Sequence, residues 1–265
     1  MTSSAAAQRS NPLSGRTALV TGAGNGLGRA IARHLASRGV RVVLAGRRPE
    51  PLEETAALVA AEGTAGRVAC VDQADPGSVS ALAREVADEE ISILVNNAGV
   101  PGQVAPLWEI EPHDWDAVFH VNVRGIYLAC RAFLPPMIAR RGGQVINLAS
   151  VSGKRPLAGR TPYCASKMAV LGLTTTLAAE VGEYGITVNS LSPGPVNGPR
   201  MDRNFALEAA RLGVGVQQAR EAFTSRALLG RMVEEDEVGQ AVVSMLQMSG
   251  LHAADIDLSA GMVAR

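Results

Sequence analysis

Residues 16–39 read RTALVTGAGNGLGRAIARHLASRG, and this stretch decides the fold. RTALVTG is a short apolar run of strand length that stops in a glycine-rich turn. LGRAIARHLASRG then continues as a helix ended by Gly39. Between the two elements, Gly22 permits a tight turn, Gly26 lets backbone approach a pyrophosphate, and Gly28 allows close helix–strand packing. Asn25 and Leu27 lie between these glycines, at a helix N-terminus whose free N–H groups and dipole favour an anion. A glycine motif alone is weak evidence. Its place at the start of a strand–helix alternation makes it stronger.

The alternation continues outward. RVVLAGR is the second strand and PLEETAALVAAEG its helix; RVACVD is the third and SVSALAREVADEE its helix; ISILVNNAG is the fourth. One long helix is predicted over 115–141, then a strand in GQVINLAS, a helix over 163–185 and a strand in ITVNSLSPG. Strands buried on both faces and separated by helices require crossovers and a parallel sheet. The predicted fold class is α/β: a single-domain, doubly wound parallel sheet with helices on both faces. Residues 1–14, polar and rich in small side chains, read as a flexible tail, and 15–265 as the domain. The rhythm breaks over 195–228, beyond the carboxyl end of a central strand. An insertion there overhangs the ligand crevice as a substrate lid; the bland alternative is an ordinary surface helical hairpin.

At 265 residues, 47% apolar and 19% charged, the chain has length and composition for one sizeable core. A formal net charge of zero gives no electrostatic reason to expect nucleic acid or an anionic membrane as partner. No apolar stretch approaches the ~20 residues that span a bilayer. Cys70, Cys130 and Cys164 are odd in number, widely spaced and without a CxxC pair, which fits reduced thiols in a cytoplasmic protein. Cys164 beside the tyrosine below reads as a small apolar filler, with a reactive thiol as the alternative. His34, His113, His120 and His252 lack ligand-like spacing, so no metal is predicted.

The chemistry is carried by NLASVSGKRPLAGRTPYCASKMA, which places Ser150, Tyr163 and Lys167 thirteen and four residues apart. Tyr163 and Lys167 project from one helix face. The ammonium stabilises the phenolate, so a phenol with an ordinary pKa near 10 exchanges protons closer to neutral pH. The Ser150 hydroxyl, from the end of a strand, can bond the oxygen whose protonation changes. At the end of the second strand, Gly46 stands where an NAD enzyme carries an acidic residue for the ribose hydroxyls, and Arg47 and Arg48 follow. A guanidinium grips a 2′-phosphate that a carboxylate repels, which favours NADP(H) over NAD(H). The alternative is a solvated pair of loop arginines.

Together these residues resemble the short-chain dehydrogenase/reductase family over nearly the whole chain, and the resemblance implies a Rossmann fold. TGAGNGLG is similar to its TGxxxGxG. Asp72 and the Gln73 amide match its adenine contacts, and Asn96-Asn97-Ala98-Gly99 matches its NNAG. Asn122 in VNVRG matches its active-site asparagine, and Pro193, Gly194 and Val196 match its nicotinamide border. The chain departs where relatives carry a threonine after the PG and Asn197 stands here, and where DIDLSAGM replaces a DGG near the end.

The resemblance implies a carbonyl/alcohol oxidoreductase. Tyr163 acts as acid/base, Ser150 holds the reacting oxygen, Lys167 tunes the phenol and binds ribose, and Asn122 extends a proton relay. It also implies a homotetramer or homodimer built on the helices near 122–140 and 163–183. Two other readings stay open: an NAD-dependent dehydrogenase of a diol or hydroxy acid, and a dinucleotide sensor that turns nothing over.

Overall fold

The computed structural model describes residues 11–263, apart from the side chains of Arg200 and Arg211. Seven parallel strands form one sheet: β1 Thr17–Thr21, β2 Arg41–Gly46, β3 Gly66–Cys70, β4 Ile91–Asn96, β5 Gly143–Leu148, β6 Ile186–Pro193 and β7 Asp255–Leu258. Their order is β3-β2-β1-β4-β5-β6-β7. The direction of winding reverses between β1 and β4, the switch point at which open α/β sheets leave a crevice beyond their carboxyl ends.

The alternation that predicts the sheet has a direct physical basis. Along β1, Ala18 and Val20 enter the apolar layer that holds Ile31 and Leu35, whereas Leu19 enters the opposite layer with Leu94 and Phe133. Each face is covered by helices. α1 (Gly26–Ala36) packs on α9 (Glu235–Gln247), and α5 (Gly125–Arg140) and α6 (Thr161–Val181) serve the other face. α2 (Pro49–Ala61) and α3 (Pro76–Glu85) close the crossovers next to β3.

Two expectations change, and the 195–228 segment takes a definite form. Residues 11–14 are not tail: the Leu13 side chain is fully buried, and the Gly15 N–H donates to the Gly39 carbonyl at 2.9 Å. Covering one leucine contributes about 1.5–3 kcal/mol, enough to hold a short segment down. The remainder of the predicted tail, 1–10, lies outside the described residues. The helix predicted over 115–141 divides into α4 (Pro112–Phe119), a π-helical turn His120–Arg124, and α5. The 195–228 segment forms two helices, α7 (Pro199–Leu212) and α8 (Val216–Thr224), packed on each other. Their apolar seam includes Phe205 and Phe223, edge to face at 5.5 Å between centroids.

Candidate active site

The carboxyl ends of β1 and β4 are stapled by two side chains. The Thr21 hydroxyl accepts from the N–H groups of Asn97 and Ala98 at 3.0 and 3.1 Å. The Asn97 amide donates to the carbonyls of Thr21 and Gly22 at 2.9 and 3.3 Å. Gly22 has φ +66°, and a Cβ there falls 2.9 Å from the Ala98 Cα. A Cβ on Gly28 falls 2.1 Å from the Gly22 carbonyl oxygen, so only glycine closes this turn.

Asn25 caps α1 with no side-chain hydrogen bond, and the helix has no acidic residue in its first turn. The first N–H groups are therefore unspent and face the cleft, the arrangement that suits a pyrophosphate. Arg29 braces the turn, donating to the Gly24 carbonyl at 2.7 Å and pairing with Glu54. The sequence reading passed over this residue, which resembles any solvated helix arginine.

At the end of β2, exposed Arg47 and Arg48 border the same cleft. The nearest neighbours of a Cβ on Gly46 are the Leu52 side-chain atoms, from 3.4 Å, so the backbone does not bar a side chain at its first atom. Asp72 shapes the loop after β3 by accepting from the Ala74 N–H at 3.0 Å. Gln73 does more than present a backbone amide: its side chain donates to the carbonyls of Ala98 and Val121 at 3.3 and 3.1 Å.

The four residues of the predicted proton-transfer set converge. Ser150 follows β5 and its oxygen accepts from the Ser152 N–H at 3.1 Å, which leaves the hydroxyl proton free to be donated elsewhere. Tyr163 and Lys167 lie one turn apart on α6, with the Lys167 ammonium 5.9 Å from the Tyr163 ring centroid. That ammonium is almost completely buried and donates to the Leu148 carbonyl at 2.6 Å. Fully buried Asn122 sits within the π turn. Its side chain clasps the backbone of Val100, accepting at 2.8 Å and donating at 3.0 Å, and donates to the Ser166 hydroxyl at 3.0 Å. The Ser166 hydroxyl in turn donates to the Tyr163 carbonyl at 2.8 Å.

A single cleft of about 1870 Å³ joins these parts. It is bordered by the glycine turn, the Arg47 corner, Asp72, residues 97–100, Ser150, Tyr163, residues 193–199 and the inner sides of α7 and α8. Every predicted cofactor contact except Lys167 lines it; Lys167 and Asn122 stand just behind the wall. Gly194 packs on the chain after β7, where a Cβ would fall 2.9 Å from the Ser259 Cα. Asn197 is held from both sides. Its amide donates to Glu234 and its carbonyl oxygen accepts from Arg220 of α8 at 2.8 Å.

Two ionic features had no readable sequence signal. Lys154, four residues beyond Ser150, pairs with Asp255 and Asp257 of β7. Residues two apart on a strand share a face, and the hydroxyls of Ser190 and Ser192 complete the cluster by donating to Asp255 at 2.7 and 2.8 Å. Glu235, at the start of α9, borders the cleft beside Gly26 and Gly198. Burial raises its carboxyl above the usual range, opposed by the Arg29 cation. Burial also raises the Cys164 thiol, which supports the filler reading, and Arg160 donates to Asn204 of α7 at 3.3 Å. Among the described residues no group of three or more His, Cys, Asp or Glu side chains is placed to hold a metal. No described helix is long and apolar enough to cross a membrane.

The family model of the short chain dehydrogenases matches residues 16–209. The chain belongs to this family. Among its relatives, D-threitol dehydrogenase of Mycolicibacterium smegmatis is 40% identical over 201 residues, covering 72% of this chain and 77% of that protein. A crystal structure of NAD+-bound xylitol dehydrogenase superposes with a TM-score of 0.89 at 28% identity, covering 94% of this chain and all of the other. A variant of the actinorhodin polyketide ketoreductase with NADPH has the same TM-score at 30% identity, covering 93% of this chain and 97% of that one. Among short chain dehydrogenases, then, this chain is similar both to polyol dehydrogenases and to a polyketide reductase.

Proposed function

We propose that this dehydrogenase uses NADP(H) to interconvert a ketone and a secondary alcohol, with Tyr163 as the acid/base. The observation that carries the reading is that Ser150 and Tyr163 border the cleft that also holds the glycine turn, with Lys167 buried behind Tyr163. The uncapped first turn of α1 fits a pyrophosphate, the 97–99 backbone fits an adenosine ribose, and Arg47 and Arg48 fit a 2′-phosphate. Bound there, the nicotinamide supplies or accepts the hydride.

The chain's own residues handle the proton. In the reductive direction, Tyr163 donates a proton to the carbonyl oxygen, and the Ser150 hydroxyl holds that oxygen beside the phenol. The Lys167 cation favours the phenolate left behind. The Asn122 side chain spends both amide N–H donors and one oxygen lone pair on Val100 and Ser166, which gives it a positional role beside the proton relay. It fixes Val100 and, through Ser166, the first turn of α6 that carries Tyr163. Residues 195–228 act as the substrate lid, tied to the nicotinamide border through Arg220 and Asn197. A homotetramer or homodimer fits the half-exposed Tyr127 and Met168 on α5 and α6, and three free cysteines fit a cytoplasmic site of action.

The test follows nicotinamide absorbance with a panel of ketones and secondary alcohols, using both cofactors. NADPH supporting a higher kcat/KM than NADH supports the reading. Equal or better use of NADH favours the second reading, a NAD-dependent polyol dehydrogenase, for which the NAD+-bound xylitol dehydrogenase neighbour speaks.

A further inference from the structure

The part of the cleft beyond the reacting residues gathers exposed apolar side chains. Thirteen large hydrophobic side chains are exposed among the described residues, and six of them border this one cleft: Val104, Leu107, Trp108, Leu157, Leu207 and Leu212. They come from three separate places, the loop after β4, the loop after β5, and α7. Trp108 is 84% exposed and Leu207 65%, values that carry a hydration cost while nothing covers them. Phe205 and Phe223 continue the same surface inward.

Polar side chains stand among them, Thr161, Arg203, Asn204 and Glu208 included, and several are engaged with the protein. Arg160 is bonded to Asn204, Arg220 to Asn197, and the Arg226 guanidinium lies 5.6 Å from the Phe223 ring centre. A polyol needs a hydrogen-bond partner for each hydroxyl it buries, and the six apolar side chains of the rim offer none. An apolar body asks only for contact area. The polar residues Ser152 and Arg155 follow Ser150 on its own loop, so polarity accompanies the reacting residues and greasiness the rim.

We propose that the substrate carries an extended apolar body beside its carbonyl or carbinol, seated against Trp108, Leu157 and Leu207, and is not a polyol. This deepens the reading of the cleft as a ketone/alcohol site and rests on it. Commitment to a small-molecule substrate, and not to a protein partner, follows from continuity: the apolar rim is the mouth of the cleft that contains Ser150 and Tyr163.

The first measurement is a homologous series with NADPH, from 2-butanone to 2-octanone, beside D-threitol with NADP+. Each fully buried methylene raises kcat/KM about fourfold, so the series spans on the order of 100-fold. Trp108→Ala and Leu207→Ala each lower the ratio of kcat/KM for 2-octanone over 2-butanone by about tenfold. A flat series, or a higher kcat/KM for D-threitol, overturns the proposal.

The second measurement is independent of turnover. The chain has two tryptophans, so in a Trp115→Phe background Trp108 is the sole emitter. In the Tyr163→Phe, Trp115→Phe protein, 2-octanol produces a saturable blue shift of Trp108 emission and D-threitol produces none. No shift with 2-octanol overturns the proposal even if ketones are turned over. A shift without turnover of any ketone by the Tyr163 enzyme sinks the assigned reaction and leaves the apolar ligand class standing.

Discussion

The side-chain amide of Gln73 donates to the carbonyl of Val121 at 3.1 Å, across 48 residues of chain. That carbonyl is available because of the π turn. The Gly125 N–H bonds His120 instead of Val121, so Val121 is left without its usual helical donor. Gly125 also makes the room: a Cβ there falls 3.0 Å from the Gln73 amide nitrogen. The loop after β3 is thus tied to the turn that carries Asn122.

Gln73→Leu removes this donor and strands the carbonyls of Ala98 and Val121. The expected cost is about 1–3 kcal/mol in denaturant midpoint stability. Because Asn122 follows Val121 directly, kcat falls more than the cofactor KM rises. Stability loss with an unchanged kcat counts against a link between Gln73 and the catalytic residues.

Arg47→Glu tests the cofactor preference. Replacing a charge-assisted contact by a repulsive carboxylate lowers kcat/KM with NADPH by about 10- to 100-fold and leaves NADH nearly unaffected. Steady-state kinetics with both cofactors reads the outcome. Equal losses for the two contradict a phosphate contact at Arg47.

The three thiols differ in environment and alkylate in order. Cys70 is exposed, Cys164 is half-buried with its thiol raised by burial, and Cys130 is buried with its thiol pushed up to about 12. Only thiolate reacts, so native protein at pH 8 labels first at Cys70, then Cys164, and at Cys130 only on unfolding. Mass spectrometry of iodoacetamide-treated protein checks the order. Early labelling of Cys130 contradicts the packing around it.

Glu237 gives a pH dependence with a definite sign. Arg231 grips it with two nitrogens at 2.7 Å and the Glu234 N–H adds a third bond at 2.9 Å. These hold its carboxyl down from 4.5 to about 2. A depressed folded-state pKa adds stability fully present above pH 4.5 and lost as pH falls toward 2. Glu237→Gln removes that part of the acid sensitivity, read as a shallower fall in melting temperature between those pH values. The pair is partly solvated, so the change is modest.

Much of this architecture was legible in the chain. β1, β2 and β4 are apolar on both faces, and alternation with helices makes a parallel sheet covered twice the arrangement that fits. Gly22 and Gly28 announce a turn too tight for side chains, and a Cβ at either falls against backbone. What was not legible depends on contacts distant in sequence or on hydrogen-bond pattern. The π turn at 120–124 has ordinary helical composition. Leu13 looked like one apolar residue in a polar tail. The short strand β7 has only four residues, and its Asp255 and Asp257 became meaningful once Lys154 arrived from the Ser150 loop. For the site, the spacing of Ser150, Tyr163 and Lys167 was readable, while the engagement of the Asn122 side chain with Val100 and Ser166 was not.

The most direct test of the central claim, that Tyr163 carries the proton, compares Tyr163→Phe with the unaltered enzyme in NADPH-dependent ketone reduction and in NADPH binding by fluorescence titration. Loss of a general acid lowers kcat by about 100- to 10,000-fold, with NADPH affinity changed only slightly. A Tyr163→Phe enzyme that retains kcat within a few-fold contradicts the account.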